Sequence, residues 1–143
     1  MANQTRLLGF NFRRIEVERQ DQSPEKVDIV SDIKFENVEK HRVDLVNEEA
    51  LKIDFEFKLT YKDFAKLSMQ GAIILMVDDK AFKDALKEWK KNKKLPKDLN
   101  QGLINLILQK CSLRALQLEE EMGIPLHIQM PKVKIQDPEQ SGN

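Results

Sequence analysis

The side chains that most often do covalent or metal chemistry are scarce here and stand far apart. The chain has one cysteine, Cys111, and two histidines, His41 and His127. A metal site needs several His, Cys or carboxylate ligands at workable spacing, and neither HxxxH nor CxxC occurs, so no metal ligand is assigned. A nucleophile needs an adjacent base. Cys111 falls at helical spacing among Ile107, Leu108 and Ala115, where a small buried hydrophobe is expected. His127 lies between Leu126 and Ile128 with no serine or cysteine partner that can be named, so packing or a surface role suits it. Asp78–Asp79 pairs two carboxylates, but an N-cap ahead of a helix accounts for them. Gly9, Gly71, Gly102, Gly123 and Gly142 are scattered and build no phosphate-binding loop. These residues predict no catalytic set and no cofactor, and they argue against an enzyme.

One electrostatic cluster exists: Lys87, Lys90, Lys91, Lys93, Lys94 and Lys97. It could touch phosphate, but a solvated helix end complementing the helix dipole is the plainer account. Trp89 is the one aromatic residue among them, and it falls on the apolar side of that helix. Lys plus Arg number 24 and Asp plus Glu number 24, a balance that argues against a nucleic-acid or anionic-membrane partner. Met69, Met76, Met122 and Met130 suit either an adaptable binding surface or ordinary core filling.

These groups must be positioned by a chain of 143 residues, which is one domain's worth. We read residues 1–135 as that domain and 136–143, polar and carrying Pro138 and Gly142, as a disordered tail. Charged residues at 34% and hydrophobic ones at 41% suit a globule with its own core. The longest apolar run, Ala72 to Val77, is far short of the roughly 20 residues that span a bilayer. With a lone cysteine and no secretory signal pattern, a cytoplasmic location is expected.

The apolar pattern gives four strands. The first covers 8–19; Phe10 and Phe12 share one parity and Ile15 and Val17 the other, so a bulge or a change of packing partner is expected at Arg13–Arg14. A turn with Pro24 leads to a second strand carrying Val27, Ile29, Ile33 and Phe35 on one parity, and the charged stretch 39–49 reads as a loop. The third strand is the clearest: Leu51, Ile53, Phe55, Phe57, Leu59 and Tyr61 alternate with polar residues. The fourth, from about Lys66 to Val77, is apolar on both faces in its second half, which calls for cover on both sides.

Two helices follow. The first starts after Asp78–Asp79, sets Ala81, Phe82, Ala85, Leu86 and Trp89 on one side, and ends in the lysine run before Leu95–Pro96. The second spans about Lys97 to Met122, with Gly123 as its C-terminal stop. Its apolar set around 103–108 is too wide for one stripe, so it is expected to contact more than its own sheet. The stretch Ile124 to Ile135, broken by Pro125 and Pro131, reads as an extended segment lying along the domain. The order is an α+β fold: a four-stranded antiparallel sheet followed by two helices.

That order resembles the SecB export chaperones. The opening Leu8-Gly9-Phe10-Asn11-Phe12 is similar to the start of small SecB-like proteins of archaea and bacteria. So are Lys110-Cys111, Ala115 to Glu121, Ile124-Pro125 and His127-Ile128. The resemblance covers about 7–134. It implies a homo-oligomer, dimer or dimer of dimers, with helices sandwiched between sheets and an apolar groove that holds unfolded or precursor polypeptides without ATP. Two features of the export SecB are absent here: its strongly acidic charge, and the Cys and His zinc ligands of its tail, where this chain has Gln136 to Asn143. A related branch serves toxin–antitoxin systems with one dedicated client. For the groove, the expected peptide-binding residues are Phe64, Leu67, Met69, Met122, Ile124, Leu126 and Met130, unless the chain's own Ile124–Ile135 segment fills it.

Overall fold

A computed structural model describes residues 5–45 and 47–129. Four strands, β1 (Arg6–Arg19), β2 (Ile29–Val43), β3 (Glu48–Tyr61) and β4 (Ala65–Met76), precede two helices, α1 (Asp79–Asn92) and α2 (Lys97–Met122). The strands form one antiparallel sheet in the order β1-β4-β3-β2, so β1 and β2 are its edges. Both helices join one core cluster with the inner face of the sheet.

The alternation in β3 sets that inner face. Leu51, Ile53, Phe55, Phe57, Leu59 and Tyr61 are all buried, and the central pairing brings Phe55 opposite Gly71, Phe57 opposite Met69 and Leu59 opposite Leu67. Gly71 is required there. A Cβ would lie 2.3 Å from the Asn11 carbonyl oxygen and 2.9 Å from the Phe55 ring. Phe10 packs at 5.1 Å from Phe55 and 5.5 Å from Phe12 between ring centres.

The change of parity in β1 is a bulge. The register slips between Phe12 and Arg14, so Phe12 stands opposite Gly71 while Ile15 stands opposite Met69. Phe10, Phe12, Ile15 and Val17 therefore all face inward. The second strand differs from expectation. Residues 39–43 are not loop: β2 continues to Val43, and only a tight turn with Asn47 at φ 51° separates it from β3. A slip between Phe35 and Asn37 moves the inward parity to Val38, and beyond it the residues are mostly charged. Periodicity cannot show such a segment as a strand. What makes it one is backbone pairing of an edge with β3, as in Lys40 opposite Leu51 and His41 opposite Ala50.

Asp78 caps α1, its carboxylate accepting from the Ala81 amide at 2.8 Å, and Ala85 and Trp89 anchor the helix in the core. On α2 the buried residues Leu103, Ile107, Cys111, Ala115 and Glu119 recur every fourth position, one ridge along the helix. Leu113 on its outer side is 62% exposed, and Leu106 and Leu116 are half-buried. The described residues thus leave α2 partly uncovered. On the outer face of β4, Ile74 and Met76 are likewise only half-buried. Among the described residues no helix is long and apolar enough to cross a membrane.

Candidate functional site

The densest polar arrangement lies where α2 ends against β3. Glu119 continues the buried ridge of α2 and is fully buried. Its carboxylate accepts from the Tyr61 hydroxyl, from the His127 backbone amide at 3.1 Å, and from His127 Nδ1 at 2.9 Å to one oxygen and 3.0 Å to the other. Burial first, and then the Glu119 carboxylate, push the Tyr61 phenol well above its usual range, so it stays protonated and donates. The imidazole stands edge-on to Phe57, 6.4 Å between ring centres, and its Nε2 is buried without a protein partner.

Arg19, at the end of β1, secures the same corner. Gly123 takes the left-handed conformation (φ 65°) that ends α2, and the Ile124 amide donates back to the Glu119 carbonyl at 2.8 Å. The last turn of α2 holds no basic residue. The guanidinium of Arg19 takes that role, donating to the Met122 carbonyl at 2.7 Å and stacking 5.0 Å from the centre of the Phe64 ring. Residues 124–129 are thereby strapped to the domain at both ends of a short span, by Arg19 near Gly123 and by Glu119 at His127.

This set binds a segment of its own chain. Among the described residues, Tyr61, Glu119 and His127 stand apart from three surface clefts, beside Arg14, Lys34 and Glu48. Burial pushes the Cys111 thiol up to about 12, so it carries no thiolate at neutral pH. Among the described residues no three His, Cys, Asp or Glu side chains gather to hold a metal ion.

The structure places the expected peptide-binding residues in two groups. Phe64, Leu67, Met69 and Ile124 are buried in the core, while Met122 is half-buried and Leu126 is 43% exposed. Met130 lies outside the described residues. Ile124, the first residue after Gly123, belongs to the same core cluster as Phe64, Leu67 and Met69. The apolar surface left open is elsewhere as well. On the inner face of edge strand β1, Leu7 and Ile15 are 42% and 36% exposed and Phe10 and Phe12 half-buried. Leu126 and Ile128 add exposed apolar side chains on the strap.

Sequence reasoning missed Glu119 and Arg19. Glu119 stands in a run of three glutamates that reads as a solvated helix end. The available signal was its place four residues after Ala115 and eight after Cys111, on the buried ridge.

No protein-family model and no curated protein matches the sequence. One solved structure has the same architecture: the SecB-like chaperone of Mycobacterium tuberculosis in complex with a ChAD peptide from the HigA1 antitoxin. The similarity covers 92% of this chain and 93% of that one, with a TM-score of 0.54 and 10% sequence identity. The fold is SecB-like. At that identity the likeness is one of backbone architecture. Within the SecB-like frame, the four-stranded sheet and the two helices that follow it are as the element order implied.

Proposed function

We propose that this protein is an ATP-independent chaperone of the holdase type, binding extended apolar segments of unfolded or precursor polypeptides in the cytoplasm as a homo-oligomer. The observation that carries the reading is the uncovered inner face of β1. Leu7, Phe10, Phe12 and Ile15 stand on the face that the neighbouring strands use for a closed core, yet they remain partly open to solvent. A client laid along this trough would bury apolar area at about 25 cal/mol per Å², less the cost of ordering the client. The reading needs no nucleotide, since binding and release follow the client's own folding.

Met122 and Leu126 extend the proposed surface from the helix end. Phe64, Leu67, Met69 and Ile124 would join it only when the strap lifts, and Met130 remains a proposed continuation. A second copy, as a dimer or dimer of dimers, would cover the outer side of α2. The antitoxin peptide held by the structural neighbour supports a second reading, a chaperone dedicated to one protein partner.

Aggregation of a chemically unfolded model protein, followed by light scattering without ATP, tests the first reading. Dose-dependent suppression, weakened by Ile15→Asp, is the expected result. No suppression by a well-folded sample would overturn it and leave the dedicated-partner reading, which predicts saturable binding to a single protein.

A further inference from the structure

A separate part of the surface has a chemistry of its own. From Asp79 to Lys97 the sequence holds eight lysines against three carboxylates, in a chain whose charges balance overall. At the junction of the helices, Lys93, Lys94 and Lys97 meet Lys34 of β2 around a cleft of about 430 Å³, whose apolar lining is Phe35, Trp89 and Leu95. Among the described residues, none of these four ammonium groups forms an ion pair with a carboxylate. Lys93 adopts the left-handed backbone (φ 54°) that favours glycine, and its ammonium sits 5.7 Å from the centre of the Trp89 ring.

We propose that this cleft binds an acidic segment of a partner polypeptide, with carboxylates on the lysine rim and one apolar side chain against Phe35, Trp89 and Leu95. Charge complementarity selects the class of partner: unpaired cations ring an apolar floor, so the matching ligand is anionic and apolar at once. A polypeptide meets both demands with neighbouring side chains. A nucleic acid fits less well. The rim is lysine only, without the planar fork of arginine, and Trp89 is 7% exposed, too covered to offer a face for base stacking. The rim charges steer and select, and Phe35 is the open part of the floor, Trp89 and Leu95 being 7% exposed each. This site is distinct from the β1 trough and does not depend on the holdase reading.

Trp89 is the single tryptophan of the chain, so its emission reports on the cleft directly. The full-length protein is titrated at low salt with a short synthetic peptide in which glutamates flank one leucine. A saturable change in emission is expected, absent with the serine-for-glutamate peptide. It should weaken at least about tenfold in Lys93→Gln/Lys94→Gln/Lys97→Gln, and again on raising the salt. The variant's urea unfolding curve establishes that it is folded; these lysines are exposed. The proposal is overturned by no response to the acidic peptide, by the same response in the triple variant, or by an oligonucleotide acting at lower concentration than the peptide. A fall in oligomer mass in the triple variant with no peptide response would assign the cleft to a second copy of this chain, and overturn it too.

Discussion

Glu119 and His127 are joined by both the ring and the backbone of the histidine: one buried carboxylate accepts from Nδ1 and from the amide nitrogen of the same residue. The Tyr61 hydroxyl completes the set. A fully buried carboxylate is tolerated only where donors replace its water, and here β3 supplies one donor and the segment after α2 supplies two. The buried carboxylate and the strap are therefore one feature. Removing the Tyr61 hydroxyl takes a donor from the carboxylate, while removing the His127 ring also loosens the segment that carries it.

Tyr61→Phe removes one donor while keeping the ring. We expect a loss of about 1.5–3 kcal/mol in urea unfolding, the usual cost of deleting a hydrogen bond to a charged group. His127→Ala should cost a similar amount and have a local effect that Tyr61→Phe lacks: faster proteolysis and amide exchange within 124–129. Equal exchange in both variants would separate the strap from the carboxylate.

Arg19 links β1 to the end of α2 across most of the chain's length. Arg19→Ala should destabilise by about 1–2 kcal/mol, because the Met122 carbonyl loses a charged donor at a helix end with no other cation. Arg19→Lys should recover less than half. A single ammonium cannot serve Met122, Gln20 and Asp21 together as the guanidinium does. Thermal unfolding of the three proteins side by side decides it.

What could be read from the sequence follows from which signals are local. The strict alternation in β3, the Asp78 cap and the Gly123 stop each act over a few residues, and each stands where the pattern placed it. The parity switch at Arg13–Arg14 was legible as a bulge for the same reason. The end of β2 was not, because an edge strand with charged residues on both faces has no period; only its pairing with β3 defines it. The groove residues show the same limit at the level of the site. Phe64, Leu67 and Met69 are apolar, as the sequence shows, but that they belong to the closed core is set by strand pairing and helix packing, which their spacing does not reveal. Glu119 and Tyr61 stand far apart in sequence, so their contact could not be read from spacing.

The buried thiol makes a prediction for alkaline pH. Cys111 is raised from 9.0 to about 12 by burial, so between those values the unfolded chain releases a proton that the folded chain keeps. The unfolded state gains, and stability falls as pH rises above about 9, by up to ~1.4 kcal/mol per pH unit for this group. Tyr61 acts in the same direction above its ordinary 10.0. At pH 8 and below neither contributes. Urea unfolding from pH 7 to 10.5 should show a shallower decline in Cys111→Ala than in the native sequence. Parallel curves would remove the thiol from the account.

The outer side of α2 makes the last one. Leu113 is 62% exposed at the middle of a 26-residue helix, with Leu106 one heptad before it and Leu116 one turn after, both half-buried. Leu113 lies opposite the ridge that packs on the sheet, with Leu106 and Leu116 on its flanks and Leu106 touching the core, so no residue of the described chain is placed to cover Leu113. A leucine moved from water into an interface contributes about 1.5–3 kcal/mol, and a symmetric pairing of α2 with a second α2 would count each contribution twice. Leu113→Glu replaces that gain with two like charges at the proposed contact. We expect the native protein to elute as an oligomer and Leu113→Glu to have a lower mass by light scattering, with its urea midpoint unchanged when measured as a folded monomer. Equal masses would place the interface elsewhere, and the uncovered edge strand β1 would then be the next surface to substitute.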